Sequence, residues 1–178
     1  MYLRMRRRPP GRTANNVVVP AGSAGVSSAL TRISGSKPMA YDSNNVFAKI
    51  LRGELPCHKV YEDDHCLAFM DIMPQADGHT LVIPKADAVT IFDLDSAQLG
   101  SLMAATQKVA AAVKKAFEAP GIVLFQLNGA EAGQTVPHLH FHILPSSLGK
   151  LMQRAHAAQM EDQQKLAGFA ERVRAAMN

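Results

Sequence analysis

Three histidines, His138, His140 and His142, alternate with Leu139, Phe141 and Ile143 in a run that Pro145 closes. Period-two alternation marks a strand with one buried face, because successive side chains leave a strand on opposite sides. The pattern predicts a strand over residues 136–144 with Leu139, Phe141 and Ile143 packed into a core. Its other face would display three imidazoles in a row. Such a strand needs an apolar layer behind it, so the chain has to fold around a sheet.

The 178 residues suit one ordinary domain around that sheet. From Asn44 onward the punctuation is regular. Asn44 or Asn45 caps a short helix through Val46, Phe47, Ile50 and Leu51, and Gly53 ends it. Strand-like runs follow at His58 to Tyr61, Cys66 to Ile72 and Thr80 to Ile83, with Gly78 at a turn and Pro84 as a stop. Asp95 and Gln98 form a capping box. The helix behind it carries Leu99, Leu102, Met103, Thr106, Val109, Val113, Ala116 and Phe117 along one stripe. A strand is expected over Ile122 to Leu127, a Gly-rich loop over Asn128 to Thr135, and a helix of nearly 30 residues over the tail, with Met152, Ala155, Leu166, Phe169 and Val173 as contacts. This order predicts an α+β fold: a mostly antiparallel sheet, a long packed helix and an added C-terminal helix.

Charge divides the chain. Residues 1–41 hold seven of the 19 basic residues and none of the 15 acidic ones, so the remainder carries 12 bases against 15 acids. The formal net charge of +4 therefore belongs to the N-terminal segment, and the body is not expected to bind nucleic acid. Residues 1–40 read as a disordered basic extension, residues 41–148 as the domain and residues 149–178 as the C-terminal helix. The extension has three readings: an upstream addition with Met39 as the functional start, a transit peptide that would send the protein to mitochondria, or a basic tail for anionic surfaces. No apolar run reaches the roughly 18–20 residues that span a membrane. Cys57 and Cys66 form neither a disulfide framework nor a CxxC metal motif, which suits a cytoplasmic protein.

Residues alone leave the chemistry of the histidines open. A neutral imidazole attacks phosphorus well near pH 7 once its other nitrogen's proton is held. Backbone N–H groups of the Gly-rich loop, with Gln134 and Thr135, would serve the same phosphate. Alternatively His-x-His on a strand is a metal platform that His79 or Asp71 would complete. A third reading is a polar strand face without chemistry. On residues alone Phe47, Ile50 and Ile72 are ordinary core, and Asp71 is a turn acid.

His138-Leu139-His140-Phe141-His142-Ile143-Leu144 resembles the histidine-triad (HIT) pattern, in which three histidines alternate with apolar residues. Blocks at Phe47-Ala48-Lys49-Ile50, Leu67–Ile72, Pro74-Gln75, His79–Lys85, Asn128 and Gly133–Val136 are similar to the Hint-like branch, in order from about Asn45 to Pro145. The resemblance implies a HIT-like fold with His140 as nucleophile, forming a nucleotidyl-histidine intermediate. It implies that His138 and His142 orient the nucleophile and contact phosphate, and that His79 faces them. It further implies Asp71 on the ribose, Phe47, Ile50 and Ile72 around the purine, and Asn128, Gln134 and Thr135 on the phosphate and leaving group. The implied activity is cleavage of purine nucleoside phosphoramidates or aminoacyl-adenylates at the α-phosphate. The alternatives are a dinucleoside polyphosphate hydrolase, a nucleotide-binding regulator with little turnover, and, as an outsider, a metal-dependent hydrolase. No cofactor and no catalytic metal are expected, and a homodimer is implied. Two features depart from the branch. Some bacterial relatives hold a structural zinc with two cysteines in the first helix, whereas residues 45–50 contain none, and the chain runs on well past the triad.

Overall fold

A computed structural model describes residues 40–153 and 160–177. The expectations for residues 1–39, for Ala155 and for the side chain of Met152 lie outside what it describes. Helix α1 (Val46–Leu51) starts where the Asn45 carboxamide oxygen accepts the N–H groups of Phe47 and Ala48 at 3.0 and 2.9 Å. It stops where Gly53 takes a positive φ of 75°, a conformation that costs a glycine nothing. Strands β1 (Lys59–Glu62), β2 (Cys66–Met70) and β3 (Thr80–Pro84) form a meander, and helix α2 (Ser96–Ala116) follows the predicted Asp95/Gln98 capping box. Strands β4 (Val123–Gln126) and β5 (Phe141–Leu144) then extend the sheet, and helices α3 (Leu148–Gln153) and α4 (Gln163–Ala176) end the described chain.

All pairings are antiparallel, in the order β1-β2-β3-β5-β4. Every residue of β2 and β3 is buried. The cause is cover on both faces, which also explains why these strands read as unbroken apolar runs and not as alternating ones. On one face Ala68, Met70, Val82, Phe141 and Ile143 pack against Leu102, Val109 and Val113 of α2 and Leu166, Ala170 and Val173 of α4. On the other, Leu67, Phe69, Leu81 and Ile83 pack against Phe47 of α1. Each fully buried Leu or Val stabilises the fold by about 1.5–3 kcal/mol relative to its exposure.

Two expectations need correction. The triad strand is shorter than the alternation suggests, because only Phe141–Leu144 is strand and His142 is its one histidine. Upstream, the His138 N–H turns back to the Val136 carbonyl at 2.8 Å and the Leu139 N–H bonds to Ala88 at 2.8 Å, outside the ladder with β3. The alternation nonetheless holds in burial, with Leu139, Phe141 and Ile143 all in the core. The tail is also not one helix. Residues 160–162 are non-helical, and the Asp162 carboxylate caps α4 by accepting the Lys165 N–H at 2.9 Å. In α2 the buried stripe is Leu102, Ala105, Thr106, Val109, Ala112 and Val113, while Met103 turns outward. No helix among the described residues is long and apolar enough to cross a membrane.

Candidate functional site

Strand β5 leaves the sheet with His142 on the α1 side, opposite Leu81 of β3 and Phe125 of β4. The irregular segment before it brings His140 and His138 under α1. The Phe47 ring meets His140 edge-on at 5.1 Å and His138 at 6.1 Å, and the His140 and His142 rings lie 4.8 Å apart. His138 and His140 are buried, and His142 is half-buried. Phe47 is thus both core and site wall.

Hydrogen bonds fix the tautomers. The Pro84 carbonyl only accepts, so His138 Nε2–H donates to it at 3.0 Å. Burial pushes the His138 pKa down to about 4, so the ring is neutral at pH 7 and its Nδ1 is an acceptor. The Tyr41 hydroxyl donates to that nitrogen at 2.5 Å. His140 Nδ1–H donates to the His138 carbonyl at 2.6 Å. Burial lowers the His140 pKa also, so this ring is neutral and its lone pair sits on Nε2.

His79, 1% exposed, has a pKa lowered by burial to about 4 despite the nearby Asp71 carboxylate. The Gln75 N–H donates to its Nδ1 at 3.2 Å. Asp71 Oδ2 stands 3.3 Å from the same nitrogen, longer than the roughly 2.7–2.9 Å of a charge-assisted hydrogen bond. The single ring proton therefore lies on Nε2, which donates to His142 Nδ1 at 2.9 Å. The Phe125 ring stacks on His142 at 4.3 Å, with 14° between the planes.

The other sequence candidates are distributed around this centre. Asp71 Oδ1 accepts the Met73 N–H at 2.8 Å in a local turn, and Ile72 beside it is exposed. Ile50 packs behind Phe47. Asn128 joins two segments, accepting the Ile91 N–H at 2.8 Å and donating to Gln126 Oε1 at 2.6 Å. Gln134 braces the loop: its carboxamide accepts from Gly129 N–H at 2.7 Å and donates to the carbonyls of Val89 and Val136 at 2.7 and 3.0 Å. Asn128 thus ties the loop to neighbouring segments and Gln134 braces its backbone, and Thr135 is exposed. Sequence reasoning missed Tyr41 and Phe125. Phe125 is opposite His142 only by sheet register, and Tyr41 is 97 residues from His138, so neither carries a local signal.

Asp71, His79 and His142 hold ligand atoms within 4.8 Å of one another, the set most able to take a metal ion among the described residues. Their nitrogens are already joined by the bonds above. Asn45 uses its side chain as the α1 cap, and no sulfur donor occurs in residues 45–50, so the first helix does not fit a zinc held by two of its cysteines.

A family profile described as HIT domain matches residues 52–148. A HIT-like protein of Azospirillum brasilense is 48% identical over 107 residues, 58% of this chain and 86% of that protein. The adenosine 5′-monophosphoramidase of Saccharomyces cerevisiae is 35% identical over 116 residues, 65% of this chain and 71% of the enzyme. Among solved structures, a HIT-like protein from Bartonella henselae superposes with a TM-score of 0.71 at 49% identity, covering 78% of this chain and 99% of the other.

Proposed function

The chain belongs to the HIT family, and from that premise we propose that it hydrolyses purine nucleotide derivatives at the α-phosphate, with nucleoside phosphoramidates and aminoacyl-adenylates as substrates. One observation carries the reading: His140 is a neutral imidazole whose Nδ1 proton is held by the His138 carbonyl, which puts its lone pair on Nε2. The name of the yeast relative, a phosphoramidase, supports the choice of substrate class.

In the first step Nε2 of His140 attacks the α-phosphorus. The new P–N bond forms as the bond to the leaving group breaks, and the departing amine or phosphate takes a proton from a neighbouring histidine or a water. Because His142 accepts from His79 at Nδ1, its own ring proton sits on Nε2, where it serves a phosphate oxygen or the leaving group. Water then attacks the adduct, the P–N bond breaks and the nucleoside monophosphate leaves. Splitting one displacement into two easier ones is the gain of covalent catalysis. Phe47, Ile50 and Ile72 would line the purine, Asp71 would meet the ribose hydroxyls, and the loop of Asn128, Gln134 and Thr135 would face the leaving group through its N–H groups.

His140→Ala should abolish hydrolysis of adenosine 5′-phosphoramidate while nucleotide binding stays measurable by calorimetry. Acid-labile label on His140 is expected from a quenched reaction of the unmodified chain, and a variant that kept near-normal turnover would remove the nucleophile.

The same reading gives the protein a second copy as partner. Strand β4 is a sheet edge, and Leu124 on it lies 43% exposed beside Met103, 38% exposed, in an open groove that Thr106 and Ala110 of α2 also line. A two-fold pairing would cover both edge and groove. Leu124→Lys should shift sedimentation from dimer to monomer, and an unmodified chain that sediments as a monomer at micromolar concentration would refute the pairing.

A further inference from the structure

Tyr41 lies before the residues that the family profile matches, in a turn built to hold it. The Asn45 side chain and backbone N–H both donate to the Asp42 carbonyl, at 2.7 and 3.1 Å, and the Asn44 N–H donates to the Asp42 carboxylate at 2.8 Å. Arg52 reaches back from the end of α1 to the Ser43 carbonyl at 2.7 Å. The turn is thereby tied to both ends of α1, and the Tyr41 ring stands edge-on to His138 at 5.5 Å.

His138 is wholly buried, and each ring nitrogen there needs a partner. Pro84 takes one and Tyr41 the other. The backbone carbonyl of this same residue holds the His140 proton. Resting on the reading of His140 as nucleophile, we propose that Tyr41 is a positioning residue: its hydroxyl locks the His138 ring in the Nε2–H tautomer and in one orientation, which fixes the carbonyl that aims His140. Without the hydroxyl, His138 Nδ1 is a buried acceptor with no donor, and the ring has reason to turn. A shift of the His138 backbone by a fraction of an ångström then misdirects the His140 lone pair, and such misplacement slows a displacement by about ten- to hundredfold. The Tyr41 hydroxyl bonds His138 and not the groups proposed for the purine and ribose, so the loss is expected in kcat and not in KM.

Two measurements test this. In the unmodified chain labelled with 15N-histidine at pH 7, His138 should show a protonated Nε2 and an unprotonated, hydrogen-bonded Nδ1. An Nδ1-protonated tautomer or an imidazolium would overturn the proposal without any variant. Tyr41→Phe should then move the Nδ1 resonance toward that of a free lone pair and lower kcat on adenosine 5′-phosphoramidate at least about tenfold, with KM within about threefold. An unchanged kcat, or a loss carried by KM, would overturn it. His140→Ala, assayed alongside, separates the two ideas. If that variant stays active the nucleophile assignment fails, whereas an inactive His140→Ala beside a fully active Tyr41→Phe sinks only the role of Tyr41.

Discussion

Lowering the pH from 7 to 5 should destabilise this protein through its buried imidazoles. His79 and His138 are 1% and 0% exposed, and burial lowers both from an ordinary value of 6.5 to about 4. Between those values the unfolded chain binds a proton at each ring and the folded chain does not, so stability rises with pH across that window and is lost as the pH falls through it. At pH 5 each ring costs about 2 kcal/mol relative to pH 7, or about 4 kcal/mol for the pair. His140, also depressed by burial, adds in the same direction. Glu54, Glu62, Asp63 and Glu161, whose pKa values are lowered, sit at or near the surface and release their contribution only below about pH 5, so they do not blur the result. With a urea slope of about 2 kcal/mol/M, the unfolding midpoint should drop by about 2 M between pH 7 and pH 5. Midpoints that agree within about 0.3 M would show that both rings accept protons inside the folded protein, and the tautomers assigned to the site would fall with that result.

The same depression governs rate. Because His140 must be neutral to attack and its pKa is lowered, the acidic limb of the kcat profile should lie below pH 6.5, and a limb above 6.5 would contradict the burial argument. Gly78→Ala should cost about 3 kcal/mol in denaturant titration. Its φ is +84°, and a Cβ there would stand 2.6 Å from the Phe117 ring. A loss under about 1 kcal/mol would mean that Phe117 yields freely.

Local chemistry was the part of this chain that a reader of the sequence could recover. Asn45 and Asp95 cap α1 and α2 as their side chains allow, and the long helix begins at its capping box. The alternation around the histidines correctly assigned Leu139, Phe141 and Ile143 to the core. The length of the triad strand was not legible, since a strand extends only as far as its partner, and β3 stops pairing at Val82–Phe141. The break in the tail hid behind a polar run, although Asp162 three residues before Lys165 was a cap signal. Asn128 and Gln134 show the same limit from another side: their residue types promised polar contacts, but only the fold shows that backbone groups of neighbouring loops take them. The tie between Tyr41 and His138 joins residues with no sequence relation at all.

The packing of α4 has a consequence for biosynthesis. Leu166, Ala170 and Val173 occupy the same apolar layer as α2 and the sheet. Glu161 N–H holds the Ile72 carbonyl at 2.9 Å, and Lys165 pairs with Asp77. A nascent chain halted after β5 would carry His79 and all three triad histidines yet leave one side of α2 and β1 wet. The layer closes only when residue 173 emerges, so the fold is completed after translation has passed its chemistry.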